Sequence, residues 1–231
     1  ENVPEDFNQK AKKAAKKNNN IVSSKDYTWQ EMVKTPRYYI LVTILTLGTT
    51  AGLMITGHAS TVLQEVQNYT AEKADFLVGM FSIFNSIGRL VFGSISDGLG
   101  RYNIMMFLFA VIAGSMLLLT KASGNLFVAS LLAINACYGG FTSMFSPICA
   151  DNFGLKNLAI NYSFLYVAYG LAGAIGPQLA ARIKMISGGY NLAFLTVAAM
   201  SILGLLLTIF LKVGSYKRLS DATLYNKQQH S

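Results

Sequence analysis

The sequence predicts an all-α membrane protein with six transmembrane helices. Three observations carry that prediction. Between Tyr38 and Leu211 the charged residues fall into short clusters, separated by spans of about twenty residues with almost none. That length crosses a hydrocarbon layer of about 30 Å at about 1.5 Å per residue. Composition agrees: the 231 residues are 52% hydrophobic and 13% charged, where soluble domains carry about 25% charged residues, and the mean hydropathy is +0.40. Finally, the basic residues concentrate in two tails that flank the apolar region.

Taken in order, residues 1–36 are polar and rich in lysine and asparagine and form a linker. Within it SKDYTWQEMV (Ser24–Val33) either starts a short amphipathic helix on the membrane surface, with Trp29, Met32 and Val33 on one side, or is plain linker. The bundle occupies 37–212, with predicted spans Tyr38–Ala59, Phe76–Ile95, Asn103–Thr120, Asn125–Cys149, Asn157–Ala181 and Tyr190–Lys212. Residues 213–231 form a tail. Six crossings put both tails on one side. The lysines of QKAKKAAKKNNN (Gln9–Asn20) and KVGSYKRLS (Lys212–Ser220) make that side the cytoplasmic face of the plasma membrane. Turns 97–102 and 150–156 are then cytoplasmic. Loop 182–189, with Arg182 and Lys184, is external, against the positive-inside trend. Asn68-Tyr69-Thr70 forms a glycosylation sequon in the longest external loop. His58, at the outer end of the first span, reads as an interfacial histidine, with a proton relay as the alternative. Pro147 bends the fourth span near its cytoplasmic end. The chain opens on Glu1 without a signal peptide and reads as the later part of a longer polypeptide.

Several functional classes drop out. The net charge of +8 would suit nucleic acid, but no aromatic residues interleave the tail lysines as stacking platforms. The lipid bilayer is the partner those lysines fit. Cys137 and Cys149 give neither a disulfide framework nor a metal-ligand spacing. No nucleophile–base pair or metal cluster stands inside the spans, so neither an enzyme nor a cofactor or metal site is expected.

Arg89 is the residue that asks for a function. It lies six residues, about 9 Å, before the end of the second predicted span. An arginine at a helix centre costs about 2.5–3.5 kcal/mol on insertion scales. Snorkelling to the interface is the structural explanation. The other rests on Ser82, Asn85, Ser86, Arg89 and Gly93, which recur at helical spacing and form a polar stripe that faces a cavity. With no acidic residue inside the other predicted spans, a partner comes from solution. A guanidinium grips a carboxylate through a planar fork and keeps its charge at any working pH. Arg89 is therefore expected to bind a small carboxylate anion.

Beyond it, Gly93-Ser94-Ile95-Ser96-Asp97-Gly98-Leu99-Gly100-Arg101 has the form G-x-x-x-D-x-x-G-R. As a plain turn, its glycines allow tight backbone bends and Asp97 caps the next helix or pairs a cation. In the fifth span, Tyr162, Tyr166 and Tyr169 repeat at i, i+4, i+7 beside Asn161, ahead of Gly170, Gly173, Gly176 and Pro177. Such a stripe serves helix packing or a pocket wall.

The loop, preceded by GR-x-x-x-G and set between two of six spans, resembles the signature loop of the major facilitator superfamily in its second-half copy. DYTWQEMVKTPRYYILV, TAGLMITGHAS, YGG at Tyr138 and FGLKNLAINYS resemble the oxalate/formate antiporter-like branch, related to monocarboxylate permeases. The resemblance implies half of a twelve-helix fold, helices seven to twelve, with an N-terminal six-helix half absent from this chain. It implies that Gly93, Asp97, Gly100 and Arg101 act in the switch between inward- and outward-open states. It matches Arg89 to the family's arginine in helix eight, and it puts the aromatic pocket wall on Tyr138 and Tyr166, with Thr142 one turn beyond Tyr138. The lysine of the oxalate transporters falls on Tyr169, which shifts the expectation from a compact dicarboxylate to a monocarboxylate. The aspartate of proton-coupled carriers falls on Asn85, which favours exchange or facilitated passage. The implied function is secondary transport of small organic anions. A non-transporting receptor or regulatory subunit that kept the fold is the alternative, and a symmetric pair of such halves is another.

Overall fold

A computed structural model describes residues 25–229, with side chains through residue 214. The lysine run Gln9–Asn20 lies outside the described residues, as do the tail side chains from 215 onward. The helices are α1 (Trp29–Val33), α2 (Pro36–Gln67), α3 (Ala71–Leu99), α4 (Arg101–Leu119), α5 (Gly124–Phe153), α6 (Leu158–Leu165), α7 (Val167–Ser187) and α8 (Asn191–Gln229). Among the described residues, six stretches are long and apolar enough to cross a membrane: α2, α3, α4, α5, α6 taken with α7, and α8 to Gly214. The all-α, six-span expectation holds.

The helices overrun their predicted ends. Hydropathy marks where apolar side chains stop, while backbone hydrogen bonding continues until a cap ends it. α2 starts where Thr35 caps Tyr38 N–H and Pro36 presets φ, and it ends eight residues past Ala59 at Gln67, capped by Asn68 at φ 54°. Thr70 then caps α3 through Lys73 N–H. The predicted external loop therefore shrinks to Asn68–Thr70, and the turn at 97–102 shrinks to Gly100 alone, at φ 90°. Glu65, Asp75, Asp151 and Lys184 consequently sit on helices, near their ends and outside the predicted spans. The fifth span is also not one helix. It is interrupted at Tyr166, whose N–H still bonds the Tyr162 carbonyl at 2.8 Å. α5 runs on through Pro147.

α3 packs along α5, α2 along α7, and α4 along α8, and the pairs are joined where α5 meets α4 and α2. Phe109, Phe127, Phe141, Phe145 and Phe194 fill the interior, with Phe109 and Phe141 centroids 4.7 Å apart. α3 and α7 keep much of their apolar surface uncovered, including Ile83, Ile87, Leu90, Val91, Leu171 and Ile175.

The crossing of α3 and α5 depends on two glycines. A Cβ on Gly88 would lie 2.0 Å from the Ala136 carbonyl oxygen, and one on Gly139 would lie 2.0 Å from the Asn85 carbonyl oxygen. Only hydrogen at both positions lets the backbones touch.

The segment before α2 is built into the bundle and is not linker. Thr28 and Glu31 form a reciprocal capping box for α1, and Lys25 pairs Glu31 at 2.8 Å. These contacts hold the exposed Glu31 carboxyl down at about 2, with the Lys25 bond as the largest cause and the Thr28 N–H next. Met32 is fully buried and the Trp29 ring stacks on Phe164 at 5.0 Å, so this face meets protein, where the sequence left a membrane-surface helix or plain linker open. Asp26 accepts the N–H groups of Leu155 and Lys156. Tyr27 N–H bonds the Phe153 carbonyl, and Asn157 and Asn161 both donate to the Tyr27 carbonyl at 2.9 Å. Gly154, at φ 85°, lets the chain turn beneath Asp26, where a Cβ would lie 2.2 Å from the carboxylate oxygen. This strap thus ties residues 25–33 to the α5–α6 turn.

Candidate functional site

The polar stripe of α3 opens onto a groove of about 590 Å³. Thr56 of α2, Asn135 and Tyr138 of α5, and Val78, Phe81, Ser82, Asn85, Ser86, Arg89 and Leu90 of α3 line it. The glycine crossing sets this geometry. With the α3 and α5 backbones in contact at Gly88 and Gly139, Asn85 Nδ2 donates to the Asn135 carbonyl at 3.3 Å, and Asn85 Oδ1 accepts from Arg89 Nε at 3.1 Å.

That arrangement holds Arg89 without neutralising it. The carboxamide of Asn85 orients the guanidinium through Nε and leaves the terminal nitrogens for a ligand. Among the described residues no carboxylate pairs with Arg89, while the other cations in ion pairs, Lys25, Arg101 and Lys184, have Glu31, Asp97 with Asp151, and Glu65. Arg89 is exposed on this face of the bundle, and its Nε is held by Asn85 of the same helix beside the groove.

An aromatic ladder adjoins the groove. Tyr138, against which Gly52 of α2 packs, bonds Tyr169 hydroxyl to hydroxyl at 2.7 Å. Tyr169 stacks on Tyr166 at 5.1 Å, and Tyr166 meets Tyr162 at 5.3 Å and the Phe145 edge at 5.4 Å. The break between α6 and α7 falls at Tyr166, the middle of the ladder. The structure therefore brings Arg89, Asn85 and Tyr138 together in the groove and adds Tyr162, Tyr166 and Tyr169 as a wall that continues from Tyr138. Thr142 is not part of the lining: its hydroxyl turns back to the Gly139 carbonyl at 2.8 Å.

The G-x-x-x-D-x-x-G-R loop makes a separate cluster at the strap end of the bundle. Arg101 Nη1 bonds Asp97 at 2.7 Å, its Nε bonds Asp151 of α5, and its guanidinium reaches Ser96 at 3.5 Å. Gly93 packs near Ser143 and Gly100 forms the break between α3 and α4. Both carboxylates at one arginine make this an ionic tie between α5 and the α3–α4 turn.

Three participants escaped the sequence reading. Thr56 and Asn135 line the groove from α2 and α5. The available signal was Asn135, a carboxamide inside an apolar run, one helical turn before Tyr138. Asp151 was placed in a loop because it lies two residues past the predicted span. His58, read as interfacial, joins α2 to α7 through a 2.9 Å contact from Nε2 to the Pro177 carbonyl. No group of three or more His, Cys, Asp or Glu residues placed to hold a metal occurs among the described residues.

The family model described as Major Facilitator Superfamily matches residues 3–177 and 40–227. Among curated relatives, the oxalate:formate antiporter of Oxalobacter formigenes is 29% identical over 193 residues, covering 82% of this chain and 46% of that protein. The uncharacterized MFS-type transporter YhjX of Escherichia coli (strain K12) is 29% identical over 163 residues, 70% of this chain and 40% of the relative. Monocarboxylate transporter 10 of Danio rerio is 26% identical over 152 residues, 64% of this chain and 30% of the relative. The chain spans less than half the length of these relatives.

Proposed function

The chain belongs to the major facilitator superfamily, and on that premise we propose that it forms the second six-helix half of a secondary transporter for small organic anions, monocarboxylates first. Arg89 grips the substrate carboxylate. One observation carries this reading: a guanidinium oriented by Asn85 in a groove, with no carboxylate partner among the described residues.

The rest follows from placement. The uncovered surfaces of α3 and α7 receive the six-helix N-terminal half, which closes the groove near the membrane midplane. Rocking of one half on the other then alternates access. The tyrosine ladder supplies an apolar wall with hydroxyl edges for the anion's body. The Asp97–Arg101–Asp151 tie, with Gly93 and Gly100 beside it, holds one closed state and releases in the other. The strap end is the cytoplasmic face of the plasma membrane. A neutral Asn85 beside Arg89 leaves the groove without a proton-accepting acid at that position, which favours exchange or facilitated passage. The names of the oxalate:formate antiporter and the monocarboxylate transporter agree with a carboxylate substrate.

The test is uptake of labelled acetate by the full-length protein in proteoliposomes. Arg89→Gln removes a charge-assisted bond and should cut uptake about 10- to 100-fold at equal membrane insertion. Unchanged uptake in that variant would remove the assignment, and an inert wild type would favour a receptor role.

A further inference from the structure

The groove offers more than a guanidinium. Asn135 is 2% exposed yet contributes to the lining. Its Oδ1 accepts from the Thr56 hydroxyl at 3.3 Å, and its Nδ2 donates to the Leu131 carbonyl at 3.0 Å. A carboxamide nitrogen carries two hydrogens, so one N–H of this buried amide remains for another acceptor. Thr56 spends its hydroxyl hydrogen on Asn135 and keeps oxygen lone pairs at the groove surface, where the residue is exposed. A donor on α5 and an acceptor on α2 therefore line the same groove as Arg89.

We propose that Thr56 and Asn135 form a second subsite that reads a hydroxyl carried by the anion whose carboxylate Arg89 holds. The inference rests on the carboxylate reading above and adds a selectivity to it. A hydroxyl is both donor and acceptor, which matches the pair: its hydrogen goes to Thr56 Oγ1 and its oxygen takes the Asn135 N–H. An unsubstituted acid of the same length leaves both protein groups unanswered. Leaving a buried amide donor unpaired carries a penalty, and this is how a polar site rejects an analogue that lacks the group. Asn135 also anchors Asn85 through its main-chain carbonyl, so the subsite and Arg89 share one hydrogen-bonded framework across three helices.

Glycolate and acetate test this directly, since they differ by one hydroxyl and carry the same charge. Uptake of each labelled acid is measured with the full-length transporter in proteoliposomes, for wild type, Thr56→Val, Thr56→Ser and Arg89→Gln. Thr56 is exposed to the groove and valine is of nearly equal shape, but it also removes the hydroxyl that Asn135 Oδ1 accepts from, so the unfolding midpoint in detergent is measured for each variant beside uptake. The wild type should show the lower KM for glycolate. Thr56→Val should raise the glycolate KM about fivefold more than it raises the acetate KM, and Thr56→Ser should restore the wild-type ratio of the two. A Thr56→Val protein whose two KM values are unchanged, or move together, overturns the subsite, while loss of both uptakes in Arg89→Gln keeps the carboxylate reading standing. If Arg89→Gln handles both acids as the wild type does, or the wild type takes up neither, the carboxylate reading fails and the subsite falls with it.

Discussion

Replacing Gly88 by alanine should uncouple the groove while leaving its chemical groups in place. A Cβ there would lie 2.0 Å from the Ala136 carbonyl oxygen, and real Cβ contacts essentially never fall below 3.0 Å. The clash is with backbone, so no side-chain rotation relieves it. α3 and α5 must part by about 1 Å, and the reciprocal contact of Gly139 with the Asn85 carbonyl is lost with it. Overpacking of this kind costs about 1–3 kcal/mol. The Asn85–Asn135 bond, already 3.3 Å, would open and release the residue that orients Arg89. A displacement of about 1 Å at a binding group is worth up to about 100-fold in rate. Gly114→Ala on α4 is the control, since nothing lies within 4 Å of its Cβ position. There alanine removes glycine's backbone freedom and should stabilise by about 0.5–1 kcal/mol. The assays are the unfolding midpoint in detergent and uptake in proteoliposomes. A Gly88→Ala protein with the midpoint and uptake of the wild type would refute the close crossing and the argument that it positions Arg89.

The ionic tie at the strap end makes a graded prediction. Asp151→Asn should destabilise by about 3 kcal/mol, because it leaves Arg101, only 12% exposed at the side chain, against one carboxylate that is itself 58% exposed. Asp97→Asn should cost less than about 1 kcal/mol, so equal melting shifts for the two variants would contradict the burial difference. The strap gives a pH dependence. The Glu31 carboxyl is held near 2, below the ordinary glutamate range, so its cap is fully present at neutral pH and weakens only as pH falls from about 4.3 toward 2. Trp29 is the single tryptophan and stacks on Phe164, so its emission should stay constant from pH 7 to 5 and shift red below pH 4. A red shift between pH 7 and 5 would show that another group governs docking.

Much of the site was legible because membranes constrain composition strongly. A cation on a stripe of Ser82, Asn85 and Ser86 points to a polar face and away from lipid, and the stripe does open onto a groove. The tyrosines at i, i+4, i+7 were legible as one face, and they stack as one. Their placement on two helices was not, because the break at Tyr166 leaves the 3.6-residue period almost undisturbed. Thr142 was drawn into the site by its spacing from Tyr138, yet its hydroxyl bonds its own helix. The strap was read as linker or surface helix because Trp29, Met32 and Val33 would suit lipid and protein alike, and only Phe164 and the α5–α6 turn distinguish the two.

Local physics therefore determined the number of crossings, the helical class and the presence of one cation on a polar stripe, since hydropathy and helical period accumulate along the chain. Tertiary structure decided which distant residues share a surface: Thr56 with Asn135, Asn85 with Asn135, Arg101 with Asp151, and Asp26 with the α5–α6 turn. Those pairings depend on how each helix is rotated and how closely it crosses its neighbour. Between α3 and α5 a pair of glycines lets the two backbones touch, and such a contact acquires meaning only when the partner helix is in place.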